Sequence, residues 1–157
     1  MIDSYTAKDV TLMRQAIAQA RLCTPTPTAF NVGALITDPH GRILSTGYSR
    51  QFPGNTHAEQ CALQTLLTTT NSIPDYKDLV MYTTMEPCSE RLSGNKPCVE
   101  RILEAGIGSV VVGVKEPDNF VKCTGVQMLR EKGVRVVVIG EEVEEECRKL
   151  NAHLDNE

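Results

Sequence analysis

Residues 78–115 read "DLVMYTTMEPCSERLSGNKPCVERILEAGIGSVVVGVK". "LVMY" and "VVVGV" are apolar without alternation, as strands buried on both faces should be. Between them "VERILEAG" has helical spacing and a Gly at its end, the usual place for a helix stop. A strand, a helix and another strand in this order form a parallel crossover unit. Set into its first connection are two Pro-Cys pairs, Pro87-Cys88 and Pro97-Cys98, around a polar loop containing Gly94.

The flanks continue the pattern in both directions. Downstream, "FVKCTGVQMLREKG" reads as a helix, "VRVVVIG" as a strand and "EEVEEECRKLNAHL" as a closing helix. Upstream, residues 6–23 place Val10, Met13, Ile17 and Ala20 at helical spacing. "TPTPT" ends that helix, because Pro cannot continue it. "NVGALITD", the turn "PHG" and "RILSTGYS" form a hairpin. "QFPGN" is a loop, and "HAEQCALQTLLTTT" a helix with Thr56 as expected N-cap and Glu59 as its capping-box partner. The order is α-β-β-α-β-α-β-α-β-α. It predicts an α/β, three-layer α/β/α sandwich on a mixed five-stranded sheet, with an initial hairpin followed by parallel strands. No repeat, low-complexity segment or linker divides residues 1–157, which read as one domain.

Composition narrows the function. The 157 residues are 41% hydrophobic and 23% charged, an ordinary globular balance. No apolar run approaches the ~18–20 residues of a membrane span. The polar start "MIDSYTAKDV" lacks the apolar core of an export signal. Six cysteines with no export signal point to a reducing, cytoplasmic compartment and to thiols available for metal or catalysis. The net charge is −4, with seven acidic and two basic residues over 141–157. The rest is nearly neutral and offers no basic footprint for nucleic acid. A small molecule is the expected partner.

The candidate chemistry lies at the carboxyl ends of the strands, where clefts open in α/β sheets. "THAEQC" puts His57 and Glu59 at a helix start, and "MEPC" follows a strand. One imidazole and two thiolates, from His57, Cys88 and Cys98, make a three-ligand set for Zn²⁺ that leaves a fourth position open. Glu59, two residues beyond the histidine, is placed to carry protons rather than to bind the ion. Taken alone, His57-x-Glu59 is equally well a helix start with a capping box. The frequent Cys-x-x-Cys spacing is missing, since Arg91 stands three residues after Cys88. Cys61, four residues after His57 on one helical face, is therefore a rival to Cys98. Cys98 is preferred, because it repeats the Pro-Cys entry and opens a helix. Cys23, Cys123 and Cys147 read as packing thiols, and His40 and His153 as solvated side chains.

His-x-Glu followed by Pro-Cys and a later Cys resembles the cytidine-deaminase-like superfamily. Within it, "GYSRQFPGNTHAEQCAL" and "TMEPCSERLSGNKPCVERIL" are similar to the fungal type of riboflavin-pathway deaminase. The likeness covers about residues 28–140. It implies hydrolytic deamination of 2,5-diamino-6-ribitylamino-4(3H)-pyrimidinone 5'-phosphate. It also implies zinc on His57, Cys88 and Cys98, with Glu59 as proton shuttle. Asn119, in "KEPDNF", falls where bacterial relatives carry an Asp-Pro-Asn-Pro loop. Ala29 occupies the Asn of their Asn-Pro-x-Val-Gly, with Asn31 as its substitute. Glu90 stands where they have His. Ser89, Glu90, Arg91 and Lys96 belong to the pocket loop, and Arg91 and Lys96 are the favoured phosphate partners over Arg50, Lys115 and Lys122. Bacterial relatives commonly fuse a reductase domain, which is not expected here. The resemblance implies a homodimer. The competing readings are another zinc deaminase, acting on cytidine, guanine or tRNA adenosine, and a non-catalytic zinc module.

Overall fold

The computed structural model describes residues 4–27, 29–69, 75–89, 91, 96–115 and 124–154. Glu90 and Asn119 lie outside them. The chain opens with helix α1 (Ala7–Ala20), whose N-cap Thr6 and N3 residue Asp9 close a capping box. The hairpin follows as β1 (Gly33–Thr37) and β2 (Ile43–Tyr48). Then come α2 (Ala58–Leu67), β3 (Val80–Met85), α3 (Cys98–Ala105), β4 (Ser109–Val114), α4 (Gly125–Glu131), β5 (Arg135–Val138) and α5 (Glu141–Lys149). Short 3₁₀ turns occupy Tyr76–Asp78 and Ala152–Leu154.

The five strands lie in the order β2-β1-β3-β4-β5. β1 is antiparallel to both β2 and β3, while β3, β4 and β5 run parallel. The start of β1 therefore shares one sheet edge with the carboxyl ends of the other strands.

Alternate residues of the central strands feed two cores. Ala34, Ile36, Met81, Val110 and Val112 pack with α2 and α3 residues such as Leu66, Val99 and Ile102, and with Leu129 of α4. Leu35, Tyr82 and Val111 pack with Met13 and Ile17 of α1 and Val143 of α5. Both faces are covered, which accounts for strands that are apolar at successive positions.

α5 packs beside α1 on the second face, where Arg14 pairs with Glu146. Near its start the Gly140 N–H donates to the Gly113 carbonyl at 2.9 Å. Further along, a Cβ placed on Gly113 would meet Cys147 Sγ at 3.1 Å. Beyond the helix, Asn151 reaches Asn31, just ahead of β1. The closing segment thus runs from β5 past β4 to the mouth of the hairpin.

Candidate metal centre

Two helix starts deliver the donor atoms. His57 is the N-cap of α2, with extended backbone at φ −91°, ψ 157°. Pro97 is the N-cap of α3, which makes Cys98 its first residue. Cys88 arrives from the carboxyl end of β3. The first N–H groups of a helix have no intrahelical acceptor. In α3 they turn to Cys88: the Cys98 N–H donates to Cys88 Sγ at 3.2 Å, and the Val99 N–H to the Cys88 carbonyl at 3.1 Å. The two Pro-Cys units are thereby locked to each other. Each proline stiffens the approach to its thiol.

His57 Nδ1 lies 3.6 Å from Cys88 Sγ and 3.4 Å from Cys98 Sγ. All three donor atoms fall within 4.8 Å of one another. Tetrahedral zinc, with Zn–S near 2.3 Å and Zn–N near 2.0 Å, separates its nitrogen and sulfur ligands by roughly 3.6 Å. The observed spacing fits that ion. Cys61 is buried in the α2 core and belongs to no such group among the described residues.

The two thiols do not share one acidity. Cys88 is shifted well below the ordinary thiol range, chiefly by the hydrogen bond from Cys98 and then by that to His57, against the effect of burial. Cys98 is shifted upward by the same sulfur–sulfur contact, by burial and by the charge of Glu59. Both effects follow from two sulfurs sharing one proton, with Cys88 the first to carry charge.

Glu59 is buried at 4% exposure, in the first turn of α2. The expected cap is displaced by one residue. Thr56 Oγ1 donates to the Phe52 carbonyl at 2.7 Å and accepts from the Phe52 N–H, so Thr56 closes the preceding loop. His57 becomes the N-cap, and Gln60 Oε1 accepts its N–H at 3.3 Å. Glu59 is therefore not the residue that closes the box.

The pocket-loop residues have structural partners. Arg91 donates to the Asn55 carbonyl at 2.9 Å, the Lys96 carbonyl at 3.3 Å and Gln60 Oε1 at 3.4 Å. It ties the Cys88–Cys98 loop to the loop that delivers His57. Lys96 Nζ pairs with Glu104 at 2.6 Å. Ser89 Oγ accepts from the Thr124 N–H at 3.4 Å. Asn31 is buried, and its amide is committed to Arg50 Nη2 at 2.6 Å and the Leu150 carbonyl at 3.1 Å. Arg50, one of the cleft cations considered for phosphate, spends its guanidinium on Thr24, Phe30 and Asn31 oxygens. His153 is half-buried rather than solvated and donates from Nε2 to the Ala29 carbonyl at 3.1 Å.

Sequence reasoning passed over Gln60, Glu86 and Asn151. Gln60 is three residues after His57, so the box was readable once His57 was taken as cap. Glu86 is buried and its Oε2 accepts the Val126 N–H of α4 at 2.9 Å. Its neighbour in space is 40 residues away, and no local pattern marks it.

Residues 6–114 match the cytidine and deoxycytidylate deaminase zinc-binding region. The chain belongs to this deaminase family. Its curated relatives include the diaminohydroxyphosphoribosylamino-pyrimidine deaminase of Schizosaccharomyces pombe, 46% identical over 125 residues. That match covers 80% of this chain and 30% of the relative. The riboflavin biosynthesis protein RibD of Aquifex aeolicus is 35% identical over 127 residues, 81% of this chain and 32% of the relative. The chain thus spans about a third of the length of these family members. Among solved structures, Aspergillus oryzae Rib2 deaminase in complex with DARIPP, a C-terminal deletion mutant, superposes with a TM-score of 0.75 at 35% identity. That superposition covers 96% of this chain and 100% of the Aspergillus one. Acinetobacter baumannii RibD, form 2, gives a TM-score of 0.77 at 29% identity, over 94% of this chain and 39% of that one. The deaminase fold and its zinc-binding region are thus those expected from the His-x-Glu and Pro-Cys motifs.

Proposed function

We propose that the protein hydrolytically deaminates 2,5-diamino-6-ribitylamino-4(3H)-pyrimidinone 5'-phosphate. The products are 5-amino-6-ribitylamino-2,4(1H,3H)-pyrimidinedione 5'-phosphate and ammonia. The observation that carries the reading is a three-donor zinc set, His57, Cys88 and Cys98, with a buried carboxylate in the same helix turn. A purely structural zinc takes a fourth protein ligand and has no use for that carboxylate. The Aspergillus complex, over nearly the whole chain, supports the choice of substrate.

Zinc, when bound, supplies a Lewis acid that makes water a nucleophile near neutral pH. Glu59 does the proton work. It takes a proton from the attacking water and passes it to the ring nitrogen beside the amino-bearing carbon. As the C–N bond breaks, Glu59 takes the remaining proton of the added hydroxyl and hands it to the leaving amine, and ammonia departs. The water oxygen stays as the new carbonyl. Burial of Glu59 keeps bulk water from competing for these protons. Arg91 and Lys96 hold the ribityl phosphate, and Ser89, Glu90, Asn31 and Asn119 complete the substrate pocket around the uncharged parts of the molecule. Arg91 now meets neutral oxygens, which leaves its charge available to an anion. Lys96 exchanges the Glu104 carboxylate for phosphate.

The same reading has the protein working in the cytoplasm, consistent with the free Cys88 and Cys98 thiols at its centre. It also takes the protein as a homodimer. A groove of about 580 Å³ between α2 and α3, lined by Leu63, Leu67 and Tyr76, supports this, with Leu67 73% exposed. Light scattering on the purified protein tests the dimer.

Glu59→Gln tests the central assignment. Zinc content should remain at wild-type level while ammonia release falls by at least ~100-fold, the scale of general acid–base catalysis. Parallel assays with cytidine and guanine test the substrate. Turnover of cytidine without turnover of the ribitylamino-pyrimidine phosphate would refute it.

A further inference from the structure

Residues 29–31 run into β1 at the edge that carries the metal centre, yet they hang from side chains of two distant segments. The Ala29 carbonyl accepts from His153 Nε2. The Phe30 carbonyl accepts from Arg50 Nη1 at 3.2 Å. The Asn31 N–H donates to Asn151 Oδ1 at 2.5 Å, and the Asn31 carbonyl accepts from Asn151 Nδ2 at 3.4 Å. Ladder pairing begins only beyond this point, where Val32 exchanges hydrogen bonds with Ser49 and the Gly33 N–H donates to Thr84 Oγ1 at 3.2 Å.

The position of this segment gives the clamp its consequence. Ser49 opens the loop that ends at His57, and Thr84 precedes Cys88 by four residues. Residues 29–33 are therefore stitched between the two arms of the metal centre, through Val32 to Ser49 and through Gly33 to Thr84. Arg50 itself is held at φ 64°, left-handed backbone that a non-glycine residue adopts only when its surroundings impose it. Its N–H donates to the Thr56 carbonyl at 2.6 Å, so the residue that fixes Phe30 and Asn31 also fixes the approach to His57.

We propose that Asn151, with His153, is a positioning residue for the reaction. The C-terminal turn holds residues 29–32 as a wall of the substrate cleft, and so governs substrate affinity without touching the zinc ligands. Asn151 satisfies both backbone groups of a buried residue, and unsatisfied buried groups do not hold one conformation. In its absence the wall samples several positions. Substrate then binds only the fraction that is correctly arranged, which raises KM in inverse proportion. The kinetic part rests on the deaminase reading above; the ordering of Asn31 does not.

Three variants, Asn151→Ala, Asn151→Asp and His153→Ala, test this with zinc content, steady-state kinetics and amide hydrogen exchange. Asn151→Ala should keep wild-type zinc and a kcat within about twofold. It should raise KM about tenfold and speed exchange of the Asn31 amide at least tenfold. Asn151→Asp keeps the acceptor for the Asn31 N–H but loses the donor to its carbonyl, so it should fall between wild type and alanine in both readouts. His153→Ala should raise KM by a smaller factor, about threefold, and stands in if Asn151→Ala does not fold. The proposal is overturned if exchange at Asn31 is unchanged, or if exchange rises with no change in KM. Equal losses of zinc and kcat, or an aspartate variant as impaired as the alanine, would also overturn it. A wild-type protein inactive on the ribitylamino-pyrimidine phosphate would refute the substrate reading, while exchange at Asn31 would still decide the clamp.

Discussion

Replacing Gly125 with alanine should dislodge Cys88 from the metal centre. Gly125 opens α4 where that helix presses on the Pro87-Cys88 turn. A Cβ there would lie 2.0 Å from the Pro87 carbonyl oxygen and 3.4 Å from Glu86 Cγ. A real Cβ stays beyond about 3 Å, so turn or helix must retreat by roughly 1 Å, several times the ~0.2 Å tolerance of a zinc–ligand distance. Overpacking of this kind costs about 1–3 kcal/mol of stability. Loss of outer-shell support lowers metal affinity by about 10–100-fold. Competition with a chromophoric chelator measures the affinity, and thermal melting of the zinc-loaded protein measures the stability. Gly133→Ala is the control. Gly133 sits at φ 89° with no atom within 4 Å of its would-be Cβ. Alanine there costs about 1–2 kcal/mol of backbone strain far from the metal. Both variants should melt early, and only Gly125→Ala should lose zinc affinity. The reasoning fails if Gly125→Ala holds zinc as tightly as wild type, or if Gly133→Ala loses it equally.

Other outcomes follow from the same contacts. Tyr82 donates to Asp9 Oδ1 at 2.7 Å, and burial followed by that bond pushes its hydroxyl pKa upward from 10.0. Tyr82→Phe should cost about 1–2 kcal/mol at neutral pH in denaturant melts. Because the folded pKa is raised, this stabilisation is complete below pH 10.0 and lost above it, so wild type and Tyr82→Phe should converge in alkali. Cys147, pushed up to about 12 by burial and then by Glu146, adds a loss of stability that begins near pH 9.0. The Lys96–Glu104 pair is solvent-exposed, with side chains 44% and 61% accessible. Glu104→Ala should therefore change stability by less than about 1 kcal/mol, again by denaturant melt.

The layers and the metal ligands were legible in the sequence because each rests on local chemistry. Strands such as "LVMY" and "VVVGV" carry apolar residues at successive positions, and only burial on both faces accommodates that. The Pro-Cys pairs announce themselves because proline stiffens the entry and cysteine at a helix start faces a cleft. The N-cap of α2 was misplaced by one residue, because Thr56 spends its hydroxyl on Phe52, a contact set by the loop's own curl. Local pattern did not disclose that β1 lies between β2 and β3, since ladder partners are chosen across the chain. The anchoring of Asn31 was hidden for the same reason: its partners, Asn151 and Leu150, are about 120 residues away, and nothing periodic links them.

Zinc-edge X-ray absorption on the purified protein, with metal quantified on the same sample, tests the centre most directly. The account predicts one zinc per chain, with two sulfur ligands near 2.3 Å and two nitrogen or oxygen ligands near 2.0 Å. One light ligand is the His57 imidazole, and the other is exchangeable. Absence of stoichiometric zinc, or a third sulfur in the shell, would contradict it.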